Sequence, residues 1–380
     1  MTHLATLSSM VMADRPEVDT ASGPLTALTV AGLASSMLGG LARVPFKKPW
    51  SGPSGLLDNI GQAVTRQSIR TFMGYSMGLP IEEFRSMEKI LDEICRVVMP
   101  PFVELTDGVE LTDDTIGGVP GLWCRAKAST DAYVDEDEEK QEIGATILYL
   151  HGGGYIGTSP IMYSAFASSL VRITGFEVFI ADYRMAPEFP FPAGVLDAAD
   201  VYRALLGRGV TPEHIIIAGD SGGGGLAASL VAHLHEQGLP KPGAMALFSP
   251  EIDLDLDHPS ITENAQYDVL PWNIPVTPYL HGVQPNDARV SIIHADPEPD
   301  WFPPTFVCWG KDEMFRDGIR EFAARLEDSE VPTRALEEPG MFHVFPILMP
   351  WAEASKRVFR ELQELAQGHV ASDPDATQTH

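Results

Sequence analysis

A serine set among glycines stands between a short apolar run and a helix-forming stretch. Gly219-Asp220-Ser221-Gly222-Gly223 follows His214-Ile215-Ile216-Ile217-Ala218 and precedes Leu226-Ala227-Ala228-Ser229-Leu230-Val231-Ala232. A strand that turns sharply into a helix strains its turn residue, and glycines on either side make room for the turn. The hydroxyl at such an elbow is presented to substrate, above a helix N-terminus whose N–H groups and positive dipole end suit a developing oxyanion. The pattern predicts a nucleophilic Ser221. Upstream, Thr146-Ile147-Leu148-Tyr149-Leu150 reads as a buried strand running into His151-Gly152-Gly153-Gly154-Tyr155. Consecutive glycines there bring bare backbone N–H groups to a ligand, so Gly152, Gly153 and Gly154, with Gly222 behind the serine, are the candidate oxyanion donors.

A serine hydroxyl is a weak nucleophile until a histidine accepts its proton, and that histidine needs a carboxylate to fix its tautomer. Downstream of Ser221, only His343 lies in a late loop, Gly340-Met341-Phe342-His343-Val344-Phe345, just before a C-terminal helix; His233 and His235 fall on the helix after the elbow. The strand Phe306-Val307-Cys308-Trp309-Gly310 leads to two acids, Asp312 and Glu313, either of which can orient the histidine.

The same five elbow residues surround the nucleophile of trypsin-like proteases, but such a chain would be all-β, disulfide-rich and marked by a histidine next to cysteine upstream. Here the upstream histidines are His3, His151 and His214, none beside a cysteine. Short apolar strands near 121–126, 145–150, 177–181, 214–218, 244–248 and 304–309 alternate instead with helical segments. That alternation predicts an α/β fold with a mostly parallel sheet covered on both faces. Ligands in such sheets bind beyond the carboxyl ends of the strands, where both glycine motifs fall. Between Ala63 and Val98, apolar residues from Phe72 to Val97 are spaced for two short amphipathic helices broken at Gly78 and Pro80.

These motifs resemble the hormone-sensitive-lipase family of α/β-hydrolases, with its His-Gly-Gly-Gly loop and Gly-Asp-Ser-Gly-Gly elbow. Asp182-Tyr183-Arg184-Met185-Ala186-Pro187-Glu188 is similar to the family's Tyr-Arg-Leu-Ala-Pro-Glu segment, and Ser249-Pro250-Glu251-Ile252-Asp253-Leu254 to its Ser-Pro-x-x-Asp-Leu stretch. The matches run in the family's order over about residues 120–360. The resemblance implies an α/β-hydrolase fold with an N-terminal helical cap over the acyl pocket. It divides the chain into 1–105 as N-terminal segment and cap, 106–368 as catalytic domain and 369–380 as a disordered tail. It also implies the chain order serine, acid, histidine and so a triad of Ser221, Glu313 and His343, the acid chosen because Asp317 follows Glu313 at the family's spacing. His151 becomes a support for the loop, and Glu188, Asp197 and Asp253 become scaffold carboxylates. The activity implied is hydrolysis of short- to medium-chain carboxylic esters, with no cofactor and no metal; amides or lactones would use the same machinery. A non-catalytic receptor on this scaffold is the rival, and retention of His343 speaks against it.

The formal net charge of −27 argues against nucleic acid or an anionic membrane as partner. The acidic run 135–139 reads as a solvated loop. Three scattered cysteines, Cys95, Cys124 and Cys308, form no disulfide framework, and with no secretory signal evident a cytoplasmic setting is expected. Cys308, within an apolar strand, reads as a buried inert thiol. Leu25 to Ala42 is apolar but rich in small residues and is followed by Arg43, Lys47, Lys48 and Trp50. It reads as a lid or interfacial helix rather than a span, leaving weak membrane or lipid contact open, as is a homodimer.

Overall fold

The computed structural model describes residues 18–44, 56–127, 145–271 and 274–371. Its centre is an eight-stranded sheet built from β1 (Val109–Ile116), β2 (Val119–Ala126), β3 (Thr146–Leu150), β4 (Glu177–Ala181), β5 (Ile215–Asp220), β6 (Ala244–Phe248), β7 (Thr305–Gly310) and β8 (Thr333–Glu338). The strands lie in the order β1-β2-β4-β3-β5-β6-β7-β8. β1 pairs antiparallel with β2, and β2 with β4; every other pairing is parallel.

Side chains alternate across a strand, and here both faces are dry. On β3 and β5, Leu148, Leu150, Ile215 and Ile217 enter one core while Ile147, Tyr149, Ile216 and Ala218 enter the other. The first core is closed by Val195, Leu226 and Ile319, and the second by Phe166, Leu170, Val358 and Leu362. β1 and β8 were not foreseen. Each has only one or two buried positions and carries charge, as edge strands do, so neither presents an apolar signature.

Three long helices precede the sheet: α1 (Gly23–Arg43), α2 (Leu56–Ser76) and α3 (Ile81–Asp107). The break at Gly78 and Pro80 falls between α2 and α3 as expected, but these are not the two short helices the periodicity suggested. α2 has 21 residues and α3 has 27, running through Pro100 and Pro101. α1 carries the Leu25–Ala42 segment and is long and apolar enough, by length and composition, to cross a membrane. In this structure it packs on α2 and α3: the Thr29 hydroxyl donates to Glu83 at 2.6 Å, and Tyr75 donates to the Thr29 carbonyl at 2.8 Å. Its outer face leaves Leu25, Leu28, Leu38 and Leu41 exposed. Lys47, Lys48, Trp50 and the acidic run 135–139 lie outside the described residues.

The remaining helices connect strands or cover the sheet: α4 (Ser164–Thr174), α5 (Ala193–Gly207), α6 (Ser221–Glu236), the short α7 (Pro259–Glu263) and α8 (Thr277–Leu280), α9 (Arg316–Asp328), the short α10 (Phe345–Leu348), and α11 (Glu353–Ala371). α11 continues to Ala371, past the point where a disordered tail was expected to start; the rest of that tail lies outside the described residues.

Candidate active site

Five adjacent parallel strands, β3, β5, β6, β7 and β8, end on the same side of the sheet and deliver in turn the glycine loop, Ser221, Ser249 to Glu251, Glu313 and His343. Residues far apart in sequence therefore meet because parallel strands share one carboxyl edge.

Ser221 is the first residue of α6 and sits at φ +52°, a left-handed conformation that a serine adopts only under constraint. Gly223 explains how the elbow closes: a Cβ there would collide with the carbonyl oxygens of Leu150 and His151 at the end of β3. The N–H groups of the first turn of α6 have no partner within the helix, which leaves Gly222 free to donate outward.

His343 Nε2 lies 2.8 Å from Ser221 Oγ. On its other side, His343 Nδ1 faces Glu313 Oε1 at 3.8 Å, an ion-pair contact longer than a hydrogen bond. Neither atom has another hydrogen-bond partner among the described residues. Glu313 is fully buried, and its other oxygen accepts from the Ser249 hydroxyl at 2.7 Å and from Gly310 N–H at 2.8 Å, so one oxygen is tethered and one is aimed at the histidine. Phe315 packs edge-on against the imidazole. Burial alone would lower the His343 pKa, but Glu313 beside it, with Asp268 and Glu251 behind, holds it above the ordinary histidine value. Asp312 is only partly buried, and its carboxylate feels Arg66 and Asp268 rather than the histidine.

The glycine loop divides its labour. Gly153 (φ +118°) and Gly154 (φ +61°) adopt backbone angles open to glycine, and their N–H groups enter no backbone–backbone bond among the described residues. Gly154 and Tyr155 lie against Gly222, so the two candidate donor groups converge. Gly152 does not fit the oxyanion role given to it above, because its N–H donates to Asp220 Oδ1 at 2.9 Å. Its own contribution is close approach: a Cβ at 152 would collide with the Asp220 carboxylate. His151 is fully buried, stacked on Tyr183 and bonded to Thr158 Oγ1 at 2.9 Å, and burial pushes its pKa down to about 4. A ring so held is neutral and structural at working pH.

Sequence reasoning missed several residues that build this site. Asp220, inside the elbow motif itself, accepts from Tyr149 at 2.7 Å, Tyr163 at 3.1 Å and Gly152, stitching the loop after β3 to the elbow after β5; burial raises its pKa to about 6. Ser249, within the Ser-Pro segment, also receives the Val344 N–H at 2.9 Å and so joins the acid to the histidine loop. Both were quoted in motifs without a role. Glu188 and Asp253 behave as scaffold groups: Glu188 pairs with Arg85 at 2.6 Å and Asp253 with His258 at 3.0 Å. Asp197 does the same with Arg184 at 2.8 Å.

Above the loop lies a cavity of about 300 Å³ whose walls are Phe72, Met73, Met77, Leu79, Phe84, Met87 and Leu91 from the cap and whose floor includes Gly153 and Gly154. Arg85 fastens the cap to this floor, donating to the carbonyls of Ile156 at 2.6 Å and Ala186 at 2.9 Å, while Glu88 accepts the Thr158 N–H at 2.5 Å.

A model of the alpha/beta hydrolase fold family matches residues 147–347, which include every site residue named above from the glycine loop to His343. An esterase of Acinetobacter venetianus is 30% identical over 286 residues, covering 74% of this chain and 88% of that protein. An acetyl-hydrolase of Streptomyces hygroscopicus is 35% identical over 206 residues, covering 53% of this chain and 68% of that protein. Among solved structures, a hormone-sensitive lipase from a metagenome library superposes with a TM-score of 0.67 at 27% identity, covering 80% of this chain and 98% of the other. Strand order, site and relatives agree: the chain belongs to the α/β-hydrolase family, resembles its hormone-sensitive-lipase-like members, and is a carboxylic ester hydrolase.

Proposed function

We propose that the protein hydrolyses carboxylic esters with short to medium acyl chains through an acyl-enzyme on Ser221. The observation that carries this reading is the 2.8 Å contact between His343 Nε2 and Ser221 Oγ, with a buried carboxylate on the far side of the ring. As Oγ attacks the ester carbonyl carbon, its proton passes to Nε2. The carbonyl oxygen becomes an oxyanion facing the N–H groups of Gly153, Gly154 and Gly222, and Glu313 stabilises the imidazolium. The tetrahedral intermediate collapses as the imidazolium returns the proton to the leaving alkoxide, releasing the alcohol. Water then attacks the acyl-enzyme with the same base, and the acid departs.

The size of the cavity over the glycine loop supports the short-to-medium chain length. At about 300 Å³ it lies at the lower end of the roughly 300–1,000 Å³ typical of small-molecule sites, and its lining is apolar. p-Nitrophenyl esters from acetate to palmitate, run beside an anilide and a lactone, test the substrate class. The expected maximum kcat/KM lies between acetate and octanoate. Ser221→Ala and His343→Ala should each abolish turnover, with a double variant no worse than either single one. Retained turnover in folded Ser221→Ala would reject the mechanism.

A further inference from the structure

Asp268 belongs to none of the motifs, yet its carboxylate touches both loops that hold the histidine and its acid. It is completely buried. Oδ1 accepts from the backbone N–H of His343 at 2.9 Å and from Val269 N–H at 2.7 Å, and Oδ2 accepts from Met314 N–H at 2.7 Å. Met314 directly follows Glu313, so one carboxylate bridges the main chain of the acid loop after β7 to the main chain of the histidine loop after β8.

The neighbourhood braces that bridge. Asp268 N–H donates to the Asn264 carbonyl at 3.0 Å, and the Asn264 side-chain amide donates to the Glu313 carbonyl at 2.8 Å. From the cap, Arg70 on α2 donates to the Asp268 carbonyl at 2.9 Å, and the guanidinium of Arg66 lies over the Phe342 ring, close enough to feel both Asp268 and Asp312. Three backbone N–H groups thus converge on one carboxylate, which stands behind the imidazole that must become positive during catalysis.

We propose that Asp268 is a positioning residue for ester hydrolysis: it locks the His343 loop against the Glu313 loop and supplies fixed negative charge behind the imidazolium. This rests on the roles given above to Ser221, Glu313 and His343. A bridge of this kind costs no reorganisation during the reaction, and a shift of about 1 Å in a reacting group lowers rates on the order of a hundredfold.

Asp268→Asn tests the proposal, because the amide keeps the size but loses the charge and must turn its NH2 toward one of the three N–H donors. The charged groups facing His343 in the wild type are Glu313 after β7, Asp268, Glu251 after β6 and Asp220 at the end of β5. Removing one negative charge from this set lowers the pKa of the histidine. With active sites counted by fluorophosphonate titration, Asp268→Asn is expected to lower kcat per active site about ten- to a hundredfold with little change in KM. The acid limb of the kcat/KM–pH profile should move down by about half a unit. A residue that only stabilises the fold would lower the melting temperature and the count of active sites, leaving kcat per site and the limb where they were; that result overturns the proposal. Should Asp268→Asn fail to fold, Asp268→Glu keeps the charge but displaces the bridge, and an unchanged kcat per site in that variant overturns it equally. Turnover by folded Ser221→Ala or His343→Ala would instead reject the underlying triad, separating the two failures.

Discussion

Replacing Glu313 with glutamine isolates the charge of the group that faces His343. The wild-type carboxylate presents Oε1 to Nδ1 at 3.8 Å in a fully buried setting. A unit charge pair at that distance, in an effective dielectric of about 20, is worth about 4 kcal/mol, and the pair exists only once the imidazole has taken the serine proton. Losing it from the transition state lowers kcat/KM about a thousandfold. A tautomer effect adds to this. The glutamine oxygen is needed where Ser249 and Gly310 donate, which turns the amide NH2 toward Nδ1 and favours the tautomer with a proton already on Nε2, unable to receive one from Ser221. Asp312→Asn, altering a carboxylate near Arg66 and remote from the ring, should stay within about threefold of wild type. The assay is kcat/KM on one good p-nitrophenyl ester, normalised by active-site titration, with thermal melting to confirm folding. A severe loss in Asp312→Asn beside a near-normal Glu313→Gln would refute the assignment.

Gly153→Ala should lower kcat by about a hundredfold, because the left-handed backbone and the Gly157 carbonyl both exclude a Cβ and the loop must shift its donor; Michaelis–Menten kinetics beside a thermal melt check this, and an unchanged kcat would place the oxyanion site elsewhere. Glu251 is buried, and burial raises its pKa from 4.5 to about 7. A raised acid contributes stability below its unfolded value that is lost as pH rises through the folded value. Between pH 4.5 and 8, Glu251 thus costs about 3 kcal/mol that Glu251→Gln avoids. Urea titrations should therefore show Glu251→Gln gaining on wild type as pH rises from 4.5 to about 7 and holding that gain above it, and parallel curves would contradict the assignment.

The readable parts of the site were those in which chemistry and local backbone demand coincide. Ser221 and the loop at 151–154 need glycines where the chain bends, so contiguous letters announced them. His343 and Glu313, which the fold brings to Ser221, were singled out only through the family's chain order and its spacing to Asp317. What stayed hidden depended on contacts between distant segments. Gly152 looked like another donor because nothing in its letters shows that Asp220, 68 residues away, takes its N–H. Asp268 reaches backbone groups 46 and 75 residues away, and no period or motif encodes such a reach. In the fold, β1 and β8 escaped because edge strands carry charge instead of an apolar pattern, and the full length of α3 escaped because its second half exposes Val97, Val98, Phe102 and Leu105 and so lacks one buried stripe.

The first turn of α6 sets a limit on how this protein can be made more robust. Gly223, Gly224 and Gly225 follow one another in a helix, where each is about 1 kcal/mol less favourable than alanine, or roughly 3 kcal/mol together. Replacing glycine with alanine inside helices is an ordinary route to thermostability. It is closed here: a methyl on Gly223 would strike the Leu150 and His151 carbonyls, on Gly224 the Pro250 side chain, and on Gly225 the Glu251 carbonyl and the Tyr155 hydroxyl. A saturation library should find these three positions nearly invariant, although glycine brings no side chain to the reaction. Gains in heat resistance must then come from regions remote from the elbow, with exposed glycines such as Gly207 at the end of α5 and Gly238 in the turn after α6 to be judged by their backbone angles: only Gly238, at φ +65°, resists substitution there.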